Sequence, residues 1–205
     1  MLEALAGTGL AAAAGLNAYI PLLALGLLSR FTDLVALPAG WTWLENEWVL
    51  GVVGVLLAIE VVADKVPAVD HLNDIVQTVV RPASGGIVFG SGTSAQTAAI
   101  SDPGEFFASG SWVPVAMGIG VALLVHLAKA ATRAVANAAL AGIGAPVLST
   151  AEDVTSVVLV IFAILLPALV LVALATLVVV AVLLIRQGRR RAALRRSSAT
   201  AVVQS

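Results

Sequence analysis

The sequence predicts an all-α, polytopic membrane protein, a single helical membrane domain over residues 1–188 followed by a basic tail over 189–205. Three observations lead there. The 205 residues are 60% hydrophobic and only 11% charged, where a soluble domain carries about 25% charged residues. Mean hydropathy is +1.04. The charges are gathered into blocks and leave long uncharged windows: 26 residues between Glu3 and Arg30, 23 between Glu105 and Lys129, and 32 between Asp153 and Arg186. A bilayer-spanning helix needs roughly 20 mainly apolar residues. With no cysteine in the chain, disulfides and thiolate metal sites are excluded.

The first expected span covers about residues 7–29. The preceding MLEALAGTGL carries Glu3 and no Lys or Arg, unlike the positive n-region of a secretory signal, so the run is expected to be retained. Gly7, Ala11 and Gly15 recur every four residues, a spacing that lets another helix approach closely. Within it, GLNAYIP places Asn17, Tyr19 and Pro21 near mid-span. They read either as a kink with an interhelical hydrogen bond or as a break that opens backbone carbonyls to a substrate or ion. Trp41, Trp43 and Trp48 then fall where an interfacial aromatic belt is expected.

The second span, about 48–66, has only 12 uncharged residues between Glu47 and Glu60. To cross, it must carry Glu60, Asp64 and Lys65 into or beside the membrane. Over 69–81 an apolar face (Leu72, Ile75, Val76, Val79) opposes a polar one (Asp70, Asp74, Gln77, Arg81). This predicts an amphipathic helix at an interface or lining a cavity, bracketed by breaks at Pro67 and Pro82. Residues 83–101 are uncharged but rich in Gly, Ser, Ala and Thr. They suit a short helix or re-entrant segment inside protein better than a lipid-facing span.

Spans three and four are expected at about 112–133 and 154–185, the latter after a capping box at Ser149 and Glu152. As one helix, the 32 uncharged residues of span four would be ~48 Å long, against a hydrocarbon core of ~30 Å. Six of the eleven basic residues lie in the last twenty, which predicts a disordered cytoplasmic C-terminus in a cell membrane. Four spans put the N-terminus inside as well and leave Lys129 and Arg133 toward the outside. A six-crossing alternative moves them inside but must count 83–101 as a span and split 154–185 into two short crossings without a polar turn. A shift of 64 residues also aligns Trp48 with Trp112, Lys65 with Lys129, Asn73 with Asn137 and Pro82 with Pro146, a possible internal repeat.

Several groupings carry chemistry. Glu60 and Asp64, four apart, share a helix face. His126, Lys129, Arg133 and Asn137 form one polar stripe at the end of span three. The two stripes are opposite in sign, and if their helices face each other the acids pair with Lys129 or Arg133. Such pairing serves equally as a structural lock and as a path for ions. Asp70, His71 and Asp74 offer divalent-cation ligands, with a solvated helix face as the plainer alternative. No HExxH, nucleophile elbow or Walker loop occurs. No catalytic residue and no cofactor are expected, and a metal stays open. The partners expected are the lipid bilayer and anionic headgroups at the arginine tail, with no nucleic acid.

GLNAYIP, ADKVPAVDHLNDIVQTVVRPASG, HLAKAATRAVAN and STAEDVTSV occur in this order. With these motifs the chain resembles an uncharacterised bacterial membrane-protein family, domain of unknown function 4126. The resemblance runs from about Gly7 to the last span. It implies that Asn17, Asp64, Lys65, Pro67, Asp70, Arg81, Pro82, Glu152 and Asp153 stand at the family's recurrent positions, and it implies no activity. The function expected from the residues is a small transporter or channel-like protein. Its path would use Asn17, Glu60, Asp64, Lys65, Asp70, Asp74, Arg81, His126, Lys129, Arg133, Asn137, Glu152 and Asp153. A membrane-embedded enzyme on lipid-linked substrate and a non-catalytic scaffold are the alternatives.

Overall fold

A computed structural model describes residues 1–92, 107–140 and 145–203. Among the described residues the regular structure is entirely helical: α1 (Leu2–Leu16), α2 (Tyr19–Phe31), a 3-10 helix (Ala39–Glu45), α3 (Glu47–Ala63), α4 (Pro67–Gly92), α5 (Trp112–Leu140), α6 (Ala145–Leu165) and α7 (Ala168–Val203). Helices α5, α6 and α7 are each long and apolar enough to cross a membrane. The 3-10 helix and α3, bent by 65° at their junction, count as a fourth span when taken together.

The expected first span is two helices. Asn17 adopts an extended conformation (φ −143°, ψ 120°) and ends α1. Its side-chain Oδ1 then accepts from the backbone N–H of Tyr19 and Ile20, capping α2. Pro21 sits in the first turn of α2, where its missing N–H costs nothing. The chain reverses here. Leu2 and Leu10 of α1 share a cavity with Leu25 of α2 and with Leu34–Ala36 beyond it. The N-terminal run is therefore a re-entrant helical hairpin with its tip at Asn17–Ala18.

The expected fourth span is also a hairpin, as the six-crossing alternative required. Its turn is Leu166–Pro167, and it needs no polar residue. Leu166 N–H bonds the Phe162 carbonyl, while Leu169 and Val170 N–H bond the Leu166 and Pro167 carbonyls. That leaves little backbone to hydrate. Leu148 and Glu152 of α6 share a cavity with Leu177 and Leu184 of α7, so the two helices run antiparallel. α6 starts at Ala145, four residues before Ser149, so Ser149 is not a cap. It is fully buried, and its hydroxyl has no partner among the described residues. Pro146 in the first turn supplies the start signal instead. α7 continues to Val203, so the tail expected to be disordered from 189 is helical to that residue.

Pro82 does not end the amphipathic helix. α4 runs through it to Gly92, because both flanks are held by tertiary contacts: Arg81 on Glu60, and the Ser84 hydroxyl on the Ala18 carbonyl. Residues 84–86 and 88–91 are buried, which explains the Gly- and Ser-rich composition; 93–101 lie outside the described residues. Upstream, Leu72, Ile75, Val76 and Val79 are exposed while Gln77 and Arg81 are buried. α3 shows the same inversion, with Val52, Val55, Ile59 and Val62 exposed and Glu60 buried. Apolar faces turned outward around a polar interior suit a bundle whose solvent is lipid. Under the shift of 64 residues, 48–63 and 112–127 are both helical, but the first stretch breaks at Asp64–Val66 where the second continues as helix.

The centre of the bundle is α1, which packs against α2, α4, α5, α6 and α7. Between membrane helices packing replaces hydrophobic drive, so small residues set the approach. A Cβ on Gly15 would stand 2.6 Å from the Ala122 carbonyl oxygen. Gly85 and Gly118 bring α4 and α5 together in the same way: a Cβ on Gly118 would meet the Phe89 Cβ at 2.5 Å and the Gly85 carbonyl closer still. Gly120, two residues on, faces open space. Gly118→Val is therefore expected to destabilise the fold by about 1–3 kcal/mol, the usual cost of overpacking. Gly120→Val is expected to leave it unchanged. Thermal unfolding of the two variants in the same detergent separates them.

Candidate functional site

Three acids and three bases meet where the ends of α1, α3 and α5 converge with α4 and the first turns of α6. Glu60, Asp64, Arg81, Lys129, Arg133 and Glu152 are each no more than 8% exposed. Arg81, on the inward face of α4, reaches Glu60 Oε1 through Nη2 at 2.9 Å and Nε at 3.3 Å. Its Nη2 also lies 3.7 Å from Asp64 Oδ2, and its Nη1 lies 3.7 Å from Asp74 Oδ1. Asp64 caps the end of α3. Its Oδ2 takes Arg133 Nη2 at 3.1 Å and Lys129 Nζ at 3.3 Å, and its Oδ1 takes Asn73 Nδ2 at 2.6 Å. Glu152 binds Arg133 side-on, Nε to Oε1 at 3.1 Å and Nη2 to Oε2 at 2.5 Å, and takes Lys129 at 3.1 Å. A bidentate guanidinium–carboxylate pair is among the stronger polar contacts available.

The re-entrant tip rests on this network. Lys129 Nζ donates to the Leu16 carbonyl at 2.8 Å, one of the carbonyls left without a helical donor where α1 ends. Asn17 Nδ2 donates to Asp153 Oδ1 at 2.9 Å, and Asp153 Oδ2 pairs with half-exposed Lys65 at 3.7 Å. The Ser84 and Ser156 hydroxyls donate to the Ala18 and Ala13 carbonyls. Three carbonyls around the break, those of Ala13, Leu16 and Ala18, thus accept from side chains of other helices.

His126 extends the network from Arg81. Arg81 Nη1 lies 3.0 Å from His126 Nδ1. A guanidinium is only a donor, so Nδ1 accepts and the ring carries its proton on Nε2. That proton points at Thr78 Oγ1, 3.1 Å away, whose own hydroxyl bonds the Asp74 carbonyl. Two buried acceptors, Glu60 Oε2 and Gln77 Oε1, have no hydrogen-bond partner among the described residues.

The opposite end of the bundle is different in kind. Arg30 reaches Glu47 there, at 3.5 Å. Trp41 packs against Gly90, and Trp43 stacks at a tilt on Trp41. Trp43, Trp48 and Trp112 are exposed, and Trp41 is partly buried. The buried charges gather at one end and the indoles at the other.

Of the residues expected to form the path, Asn17, Glu60, Asp64, Lys65, Asp74, Arg81, His126, Lys129, Arg133, Glu152 and Asp153 are brought together. The side chains of Asp70, His71 and Asn137 lie outside the described residues. Asp64 pairs with both bases of α5, but Glu60 pairs with Arg81 of its neighbouring helix. Among the described residues no group of three or more His, Cys, Asp or Glu is placed to hold a metal. Sequence reasoning missed Asn73, Ser84 and Ser156. Ser156 was within reach, because Ser149, Glu152 and Ser156 recur at helical spacing and all three are buried.

The family model for Domain of unknown function (DUF4126) matches residues 4–187. The chain belongs to this family. The match takes in every charged side chain of the DUF4126 network and ends where the arginines of α7 begin. No curated protein and no solved structure matches the chain.

Removing one member of a buried ion pair costs more than removing both, because a single loss leaves an uncompensated charge. Glu60 makes its hydrogen bonds to Arg81. Arg81→Met is therefore expected to destabilise the DUF4126 bundle by about 3–5 kcal/mol, and Arg81→Met with Glu60→Leu is expected to recover most of that loss. Equilibrium unfolding in micelles of the two single variants and the double variant tests it.

Proposed function

We propose that this protein is a small membrane carrier that moves a proton or small cation, with the buried network and the α1–α2 tip as its central site. One observation carries the reading: Lys129 is shared between two carboxylates and the terminal carbonyl of a broken helix. Discontinuous helices whose ends meet ionisable groups inside the membrane are the working parts of many transporters. Intramembrane charges are costly, roughly 2.5–3.5 kcal/mol each on insertion scales, and are most often functional.

The chemistry that follows is a latch. With Asp64 and Glu152 ionised, Lys129 is held where it ties down the tip. Protonation of either acid weakens that hold and frees the Leu16 carbonyl, so the hairpin can shift. Glu60 Oε2, buried and without a hydrogen-bond partner among the described residues, is a ready acceptor for an incoming proton. Access from the far end is supported by a cavity of about 290 Å³ that reaches Leu10 and Leu25. From Leu10 to Asn17 is ~10 Å along α1. The arginine-rich end of α7 and the network share one end of the bundle, which favours placing that end in the cytoplasm.

A second reading is favoured by the charge balance. The six buried charged members, Glu60, Asp64, Glu152, Arg81, Lys129 and Arg133, carry three positive and three negative charges, a balance that needs no bound ion and would serve a rigid scaffold equally well. Purified protein in sealed vesicles with an entrapped pH dye separates the two. The carrier reading expects a proton or cation flux that falls at least tenfold in Asp64→Asn, with the variant still folded by circular dichroism. Absence of flux in the unaltered protein, together with recovery of stability when Asp64→Asn is combined with Lys129→Met, selects the scaffold.

A further inference from the structure

Three buried acceptors around Arg81 take no hydrogen bond from any described residue: Glu60 Oε2, Gln77 Oε1 and Asp74 Oδ1. Asp74, Gln77 and Arg81, at i, i+3 and i+7, share one face of α4. Arg81 gives one edge to Glu60 Oε1, at 2.9 Å and 3.3 Å, and its Nη1 lies 3.7 Å from Asp74 Oδ1. Asp74 and Glu60 are therefore one guanidinium apart. Gln77 stands one turn before Arg81, and its side chain bonds the Tyr19 hydroxyl of the re-entrant tip.

The acceptors also run from wet to dry. The Asp74 side chain is 24% exposed, although its Oδ1 is buried. Glu60 and Gln77 are at most 2% exposed. Each oxygen needs a donor, and a donor must come from outside the protein. Water has two protons to give and commonly makes about three hydrogen bonds to buried groups of this kind. A metal cation would instead stand beside the Arg81 guanidinium, a like charge.

We propose that water enters beside Asp74, follows this face of α4 past Gln77 and ends at Glu60 Oε2, as the near-side route by which a proton reaches the network. Glu60 Oε2 takes one proton from the last water, the carboxylate becomes a neutral carboxyl, and the water regains its proton from the medium at Asp74. The ionisable groups around Glu60 are Asp64 on its own helix, Arg81 on α4, Lys129 on α5 and Tyr19 on α2. The path of water stands on the acceptors alone, and its use for proton movement rests on the carrier reading above.

The chain has no cysteine, so single cysteines report water directly: only the thiolate reacts, and lipid or dry protein does not support it. The full chain carrying Gln77→Cys, in mild detergent, is expected to react with methanethiosulfonate ethylammonium. Adding Asp74→Phe, which blocks the mouth, is expected to slow that reaction at least tenfold. Ser84→Cys, buried beyond the end of the route, and Val79→Cys, on the outward face, should not react. No reaction at Gln77→Cys overturns the proposal, and so does a reaction that Asp74→Phe leaves unchanged. If Gln77→Cys does not fold, hydroxyl-radical labelling of Tyr19, the only tyrosine, puts the question to the unaltered chain. Labelling that Asp74→Phe slows at least tenfold is expected, and protection of Tyr19 overturns the route. Proton flux into sealed vesicles is read in parallel and is expected to fall at least tenfold in Gln77→Leu; undiminished flux in that variant overturns the route. Reaction at Gln77→Cys with no flux in the unaltered protein upholds the path of water and removes the carrier reading alone.

Discussion

Lys129 is the contact on which the rest of the structure depends. Its ammonium donates to the Leu16 carbonyl at 2.8 Å and to Asp64 at 3.3 Å, and pairs by charge with Glu152 at 3.1 Å. These belong to α1, α6 and the end of α3, so one side chain on α5 joins four helices. The carbonyl end of α1 is the negative pole of its dipole, so the ammonium suits the break as well as the acids. Without it, Arg133 would be left to bridge both carboxylates, and the terminus of α1 would lose its side-chain donor.

That requirement shapes the packing around it. Charges buried in a bilayer need several helices within hydrogen-bond reach, and the helices can come that close only if their contact faces are small. Gly15 against Ala122, and Gly85 against Gly118, set the spacing of α1, α4 and α5 just beside the network. The polar faces of α3 and α4 turn inward to serve it, and their valines, leucines and isoleucines are left to lipid. Among the described residues α7 contributes no charged partner to the network, and of the three spanning helices it is the least buried.

The network was largely legible in the residue spacing. His126, Lys129 and Arg133 recur at intervals that share one helix face, as do Glu60 and Asp64, and both sets point inward. Asn17 with Pro21 marked a possible break. Other elements were misread for a common reason. Pro82 and the Ser149–Glu152 pair carry strong local signals, but tertiary contacts override them: Arg81 and Ser84 hold the helix on both sides of Pro82, and Ser149 and Glu152 turn into the core. Inside 154–185, a turn of two apolar residues leaves no compositional trace, because its backbone groups are bonded along the chain and need no polar side chain.

The sequence by itself determined that the chain is a helical membrane protein, which helices must carry charge inside, and that acids and bases occur on complementary faces. These follow from composition and period, which one helix expresses alone. Only the tertiary structure decided that the first and last apolar runs are hairpins, that Arg81 rather than an α5 base neutralises Glu60, and that Lys129 closes on a backbone carbonyl. Those outcomes depend on which helix ends share a depth in the membrane. Depth is set by close packing between distant segments, and no local pattern encodes it.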